Sequence, residues 1–216
     1  MNVPDPTDCL RATPCIDSDH AAVRGLVGRL GVAALSPEAR AARLFHHVRD
    51  EVRYAFRAAL TREEYVASSV LDEGRGFCVQ KAVLLCALGR AAGVPTALVL
   101  CDLRDRSLSP RVTRALGTDV MFHHGLNAFY LGDRWVRADA SLSPDVVARK
   151  GYRPVEFDGT AEALLAPTTL DGSPHAEYLR FHGLFAELPF EPMVEAFVAA
   201  YAGADLVALA DTGFRL

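Results

Sequence analysis

A thiol at Cys78, an imidazole at His124 and a carboxylate at Asp139 are the types of residue that together perform acyl transfer through a sulfur nucleophile. Cys78 lies in GRGFCVQKAVLLCALGRAAGVP, where glycines precede a long apolar run that another glycine and a proline bring to a stop. The pattern predicts a tight turn at Gly74 to Gly76 and a buried helix from about Phe77 to Ala92, with the thiol at its start. A sulfur placed there feels the positive end of the helix dipole and unpaired backbone N–H groups, which favour a thiolate. The same N–H groups are candidates to receive the oxyanion of a tetrahedral intermediate. Cys86, in the middle of the apolar run, and Cys101, at the end of TALVLC, read instead as small buried hydrophobes.

A nucleophilic thiol needs a base, and the base needs an orienting group. Val120 to Leu131 and Arg134 to Ala138 read as two strands around a Gly132-Asp133 turn, a hairpin. His124 falls on the first strand and Asp139 at the end of the second, fifteen residues later. Antiparallel pairing can set two such positions side by side. His123 competes for the role of base, because neighbouring strand residues face opposite sides and only one imidazole can point at Cys78. Each residue alone also has a plainer reading: a packed cysteine, a half-exposed strand histidine, a strand-end carboxylate.

These residues must be positioned by the elements around them. Ser36-Pro37-Glu38 has the form of an N-cap, a first-turn proline and a first-turn acid. After it Leu44, Phe45, Val48 and Val52 recur at helical spacing, so a helix is expected from Pro37 to about Tyr54. A shorter helix is expected over Ser18 to Leu30, ending near Gly31, and a buried strand over Thr96 to Cys101. The polar segment DLRDRSLSPRVTRALGTD, with Arg104, Arg106, Arg111 and Arg114, reads as an inserted loop; a lid, or an anchor for a substrate carboxylate, is its less usual role. Beyond Ser141 the expectations are a helix at Asp145 to Lys150, a strand leading into a helix in VEFDGTAEALL, and a helix at Met193 to Tyr201. Gln80 faces either the site or solvent, and Trp135 is expected to anchor the hairpin core. His46 and His47 read as surface or packing residues, while His175 and His182 carry no role. Helices followed by antiparallel strands make an α+β domain. One domain over residues 1–216 is expected, its core at about 37–141 and the extension 142–216 packed on it to shape a cleft.

Half the residues are hydrophobic, 23% are charged and the formal net charge is −4. That is a soluble globular balance, with no electrostatic reason to expect nucleic acid or an anionic membrane as partner. No apolar stretch approaches the roughly 20 residues needed to span a bilayer. The first residues lack the apolar region of a secretory signal, so a cytoplasmic location is expected. Five irregularly spaced cysteines argue against a disulfide framework, and Cys9 and Cys15 lie too far apart for a zinc knuckle.

The combined order resembles the transglutaminase-like superfamily, relatives of the papain-like fold. A glycine-flanked cysteine opens an apolar helix ending in G-V-P, and a strand follows; then come a His-bearing strand, a tight turn and W-x-x-x-D. The matching stretches are GRGFCVQKAVLLCALGRAAGVPTALVL and HGLNAFYLGDRWVRADAS, with VRDEVRY upstream, about residues 38–141. The resemblance implies a papain-like core whose nucleophile helix packs on an antiparallel sheet. It implies Cys78 as nucleophile, His124 rather than His123 as base, and Asp139 as the orienting group. It further implies a thioester acyl-enzyme formed on an amide or related acyl carbonyl of a small molecule or peptide, hydrolysis slightly ahead of transamidation, and no cofactor or metal. Leu126 stands where the family often has an aromatic residue, and Ala140 where it often has proline. The alternatives are a biosynthetic enzyme using the triad on a small-molecule or carrier-bound acyl group, and a non-catalytic binding module.

Overall fold

Capping side chains start the helices where the sequence places them. In the computed structural model, which describes residues 3–55 and 61–205, α1 (Ala21–Leu30) begins at His20 and ends at Gly31, whose φ of 65° suits glycine. The Ser36 hydroxyl accepts the Ala39 N–H at 3.3 Å to open α2 (Pro37–Glu51), which buries Leu44, Phe45 and Val48. This helix stops before the expected Tyr54. The chain is diverted there into a short parallel pairing, β1 (Arg53–Tyr54) against β2 (Arg75–Gly76), with Arg53 N–H donating to the Gly74 carbonyl. Between these strands lies α3 (Ala67–Glu73), and directly after β2 comes α4 (Cys78–Ala91), buried along nearly its whole length.

The sheet is built from β3 (Thr96–Asp105), β4 (Val120–Leu131), β5 (Arg134–Ala138) and β6 (Ala176–Phe185). Its order is β5-β4-β3-β6 with every pairing antiparallel. Alternation divides β3 between two apolar clusters. Leu98 and Leu100 join the main core with α4, whereas Ala97, Val99 and Cys101 join a smaller cluster with Leu126, Ala128 and Cys9 of the N-terminal segment. Burying a Val or Leu side chain is worth about 1.5–3 kcal/mol, and α4 alone buries Val79, Val83, Leu84, Leu85 and Leu88. The helix that carries Cys78 is therefore firmly seated in the core. The expected α+β architecture, with the helix that begins at Cys78 packed on an antiparallel sheet, is the one observed.

Elsewhere the elements differ from expectation. β3 continues past Cys101 to Asp105. The segment expected as a loop contains α5 (Pro110–Leu116), opened by the Ser109 hydroxyl accepting the Val112 N–H at 3.3 Å. VEFDGTAEALL forms no helix. It runs alongside the end of β5, with Asp139 N–H donating to the Ala163 carbonyl (2.8 Å) and Ala163 N–H to the Arg137 carbonyl (2.9 Å). The helices α6 (Pro144–Lys150) and α7 (Phe190–Ala200) stand close to their expected positions, while β6 was not anticipated. Trp135, as expected, packs within the hairpin: half-buried on β5, it lies edge-on to Tyr130 at 5.3 Å and against the smaller cluster that holds Leu126 and Ala128.

Candidate active site

Cys78 is the first residue of α4 and 2% exposed. The turn before it is held by Gln80, whose Oε1 accepts the Phe77 N–H at 2.8 Å while its Nε2 donates to the Glu64 carbonyl at 2.8 Å. Gln80 is thus a buried tether, satisfying one of the backbone donors that a helix start leaves open. Lys81 fastens the same helix to α2. Its fully buried ammonium donates to the Val52 carbonyl at 2.6 Å and the Arg49 carbonyl at 3.4 Å, at the C-terminal end of α2 where a cation is favoured. Burial pulls its pKa down to about 7 against the attraction of Asp139 and Asp50.

Strand β4 passes directly over the start of α4, and Gly125 makes this possible. A Cβ there would stand 2.6 Å from Val79 Cα and 3.0 Å from Val79 N, closer than real Cβ atoms approach. Two residues on, the buried Asn127 donates to the Ala82 carbonyl at 2.8 Å and to Cys86 Sγ at 3.1 Å, stitching strand to helix. His124 precedes Gly125, and its Nε2 lies 2.7 Å from Asp139 Oδ2. Asp139 is buried and accepts two further hydrogen bonds: Ser141 N–H to Oδ1 at 3.0 Å, and the Tyr178 hydroxyl to Oδ2 at 2.8 Å. The Tyr178 oxygen in turn accepts the Leu165 N–H at 3.0 Å, which fixes its direction.

The electrostatics of this group follow from the contacts. Burial disfavours a charged His124, but the Asp139 carboxylate and the Cys78 sulfur, which is also a hydrogen-bond partner of the ring, outweigh it and push its pKa up to about 10. Burial likewise raises Asp139, yet His124, Ser141 and Tyr178 hold its carboxyl below the usual range. The ring therefore keeps its proton through neutral pH. With Nε2 occupied by Asp139, Nδ1 is the nitrogen left for sulfur. Cys86 is pushed up to about 12 by burial and Cys101 higher still, so neither thiol competes.

Cys78, His124 and Asp139 are thus brought together, and His123 is sent elsewhere, to Asp102 and His182. Sequence reasoning missed Gly125, Asn127, Ser141 and Tyr178. A signal existed for Gly125, since a glycine inside a strand marks a close backbone approach. Tyr178 carried none, lying 39 residues from Asp139 on an unanticipated strand.

A cavity of about 330 Å³ opens beside His124 and Phe77. Leu108, Ser109 and Val112 of the inserted segment form one wall, and Tyr152 and His175 of the extension form another. Within the insertion, Arg104 and Arg106 are engaged by Glu177 at 3.1 and 2.8 Å, so these two guanidiniums brace β6. His46, on α2, sits 3.2 Å from Glu156.

The model of the Transglutaminase-like superfamily matches residues 24–140, just over half the chain. Among solved structures, one named "Putative Cysteine Protease", from Cytophaga hutchinsonii, is similar with a TM-score of 0.50 and 18% identity, covering 84% of this chain and 55% of its own. The periplasmic domain of TgpA from Pseudomonas aeruginosa gives a TM-score of 0.44 at 21% identity, over 63% of this chain and 48% of its own. The chain therefore spans about half the length of each. No curated protein matches.

Proposed function

Since the chain belongs to the transglutaminase-like superfamily, we propose that it is a cysteine-dependent acyl-transfer enzyme in which Cys78, His124 and Asp139 act as nucleophile, acid–base and orienting group. The observation that carries this reading is the buried His124–Asp139 contact of 2.7 Å next to the sulfur at the start of α4. An imidazolium held by Asp139 stabilises negative charge on the sulfur, which attacks an acyl carbonyl and forms the C–S bond. The oxyanion is received by backbone N–H groups at the helix start. Collapse breaks the bond to the leaving amine, which takes the His124 proton, and leaves a thioester. Water gives its proton to His124 and adds to the thioester; the C–S bond breaks, releasing acid and free Cys78. The family resemblance favours hydrolysis only slightly over transfer to an amine.

The cavity lies at the small end of the roughly 300–1,000 Å³ range of ligand pockets, which suits a small acyl group or a short peptide side chain. The same observation favours a second reading, biosynthetic chemistry on a small or carrier-bound acyl group, which differs in the acceptor and not in the triad. The test is intact-mass spectrometry after incubation with a short acyl p-nitrophenyl ester. A one-acyl adduct at Cys78, released by hydroxylamine and absent in Cys78→Ala, is expected. Turnover undiminished in Cys78→Ala would sink the proposal.

A further inference from the structure

The central strand breaks step with both neighbours at one level of the sheet. β3 loses register with β4 between Cys101 and Leu103, and with β6 between Leu100 and Cys101 and again between Asp102 and Leu103. Bulges of this kind re-aim side chains, and the residues at the breaks are Asp102, His123 and His182. His123 holds a φ of 53°, a left-handed conformation uncommon for a residue with a side chain, and Gly183, next to His182, holds 145°. Such backbone is strained at a non-glycine residue and persists where the surroundings impose it.

The three side chains converge. One ligand-capable atom of each lies within 4.8 Å of the other two. The two imidazoles stack at 4.4 Å with 5° between their planes. His182 Nε2 is 2.8 Å from Asp102 Oδ1, and the His123 backbone N–H donates to that oxygen at 3.3 Å. His123 Nδ1 is buried with no hydrogen-bond partner, a costly state for a polar atom. Asp102 and His182 retain 15% and 18% side-chain exposure, enough for an ion to reach them from solvent.

We propose that Asp102, His123 and His182 bind one divalent late first-row transition ion, such as zinc, cobalt or nickel. Two imidazoles and a carboxylate suit these ions, whereas calcium and magnesium prefer all-oxygen sites. Tetrahedral ligation at about 2.1 Å sets ligand atoms about 3.4 Å apart, so the trio draws together and the stacked rings tilt out of parallel to bring both lone pairs onto one ion. A fourth position is left for water or another ligand. The ion pins β4, β3 and β6 together one residue from His124. This site stands independently of the acyl-transfer reading.

Titration of chelator-treated protein with Co²⁺, followed by visible d–d absorption, tests the assignment. One saturable ion per chain is expected, with affinity lowered on the order of 1,000-fold in both His182→Gln and Asp102→Asn, beyond the roughly 10–100-fold that loss of an outer-shell partner costs. Zn²⁺ should raise the thermal midpoint of the wild type and leave those of the two variants in place. His123→Gly, which suits the observed φ, should fold without metal as the wild type does and still lose Co²⁺. No saturable binding, or binding undiminished in folded His182→Gln and Asp102→Asn, overturns the proposal. A strong thiolate-to-cobalt charge-transfer band also overturns it, because the ion would then sit on a cysteine.

Discussion

Asp139 shows how much of the candidate chemistry rests on a single buried carboxylate. It holds His124 through Oδ2 and is itself held by Ser141 and Tyr178, so all three contacts favour its ionised form. Asp139→Asn removes the charge that keeps His124 protonated, and kcat is expected to fall on the order of 10³-fold or more, as loss of an orienting carboxylate does in serine triads. Tyr178→Phe probes the support alone. The variant leaves the Leu165 N–H without its acceptor, costing about 1–3 kcal/mol. It also removes a donor that lowers the Asp139 pKa. Because that pKa is depressed in the folded state, the pair contributes stability above the unfolded carboxylate value and loses it as pH falls through the folded one. Acid unfolding of Tyr178→Phe should therefore begin at a higher pH than in the wild type. Steady-state kinetics should show kcat reduced with KM little changed; a raised KM with unchanged kcat would make Tyr178 a wall of the cavity instead of a support for Asp139.

Between elements, the decisive contact is β4 on the first turn of α4, and Gly125 sets it. Gly125→Ala drives a methyl against the Val79 backbone, which cannot yield as a flexible side chain would. A loss of about 1–3 kcal/mol is expected. His124 should be displaced as well, read as slower alkylation of Cys78 by iodoacetamide at neutral pH. Gly28→Ala in α1 is the control, since nothing lies within 4 Å of a Cβ there and the change should be neutral or mildly stabilising. The same contact explains what was legible in the sequence. Cys78 and Asp139 sit at the borders of strongly patterned elements and His124 within one, so motif order located them. Residues that act across elements, such as Lys81 on the end of α2 and Tyr178 on Asp139, leave no periodic trace. The helix α5 is a different case: Ser109-Pro110 repeats the signature of Ser36-Pro37 at α2, and the abundance of arginines around it obscured that signal. The end of α2 fell early because Arg53 pairs with β2, a contact no local pattern announces.

For the molecule as a whole, the helix that begins at Cys78 is secured by burial so complete that it encloses a lysine. Lys81 is fully buried and donates to the Val52 and Arg49 carbonyls, and its pKa falls to about 7. Below pH 7 the folded protein carries the buried ammonium and bears its whole desolvation cost. From about pH 7 toward 10.5 the unfolded chain still binds the proton that the folded chain has released, so this group makes stability rise with pH. Above about pH 9 the effect is opposed by Cys15 and Cys86, whose pKa values burial pushes up to about 11 and 12, because the unfolded thiols ionise first. Between pH 7 and 9 His124, whose folded pKa is pushed up to about 10, opposes Lys81, because the unfolded imidazole has already lost its proton, so Lys81 is read there only as a difference against a variant. Denaturant unfolding of the wild type and of Lys81→Met across this window cancels all other titrations in the difference. Lys81→Met gives up the hydrogen bond to the Val52 carbonyl, a cost of about 1–3 kcal/mol that does not vary with pH. Relative to it, the wild type should gain about 2 kcal/mol between pH 7 and 9, one proton's linkage over two units. A flat difference would mean that Lys81 keeps its proton in the folded state, with the α2–α4 junction open to water. A rising difference would place a neutralisable amine one helical turn from Cys78, linking the seating of that helix to pH near neutrality.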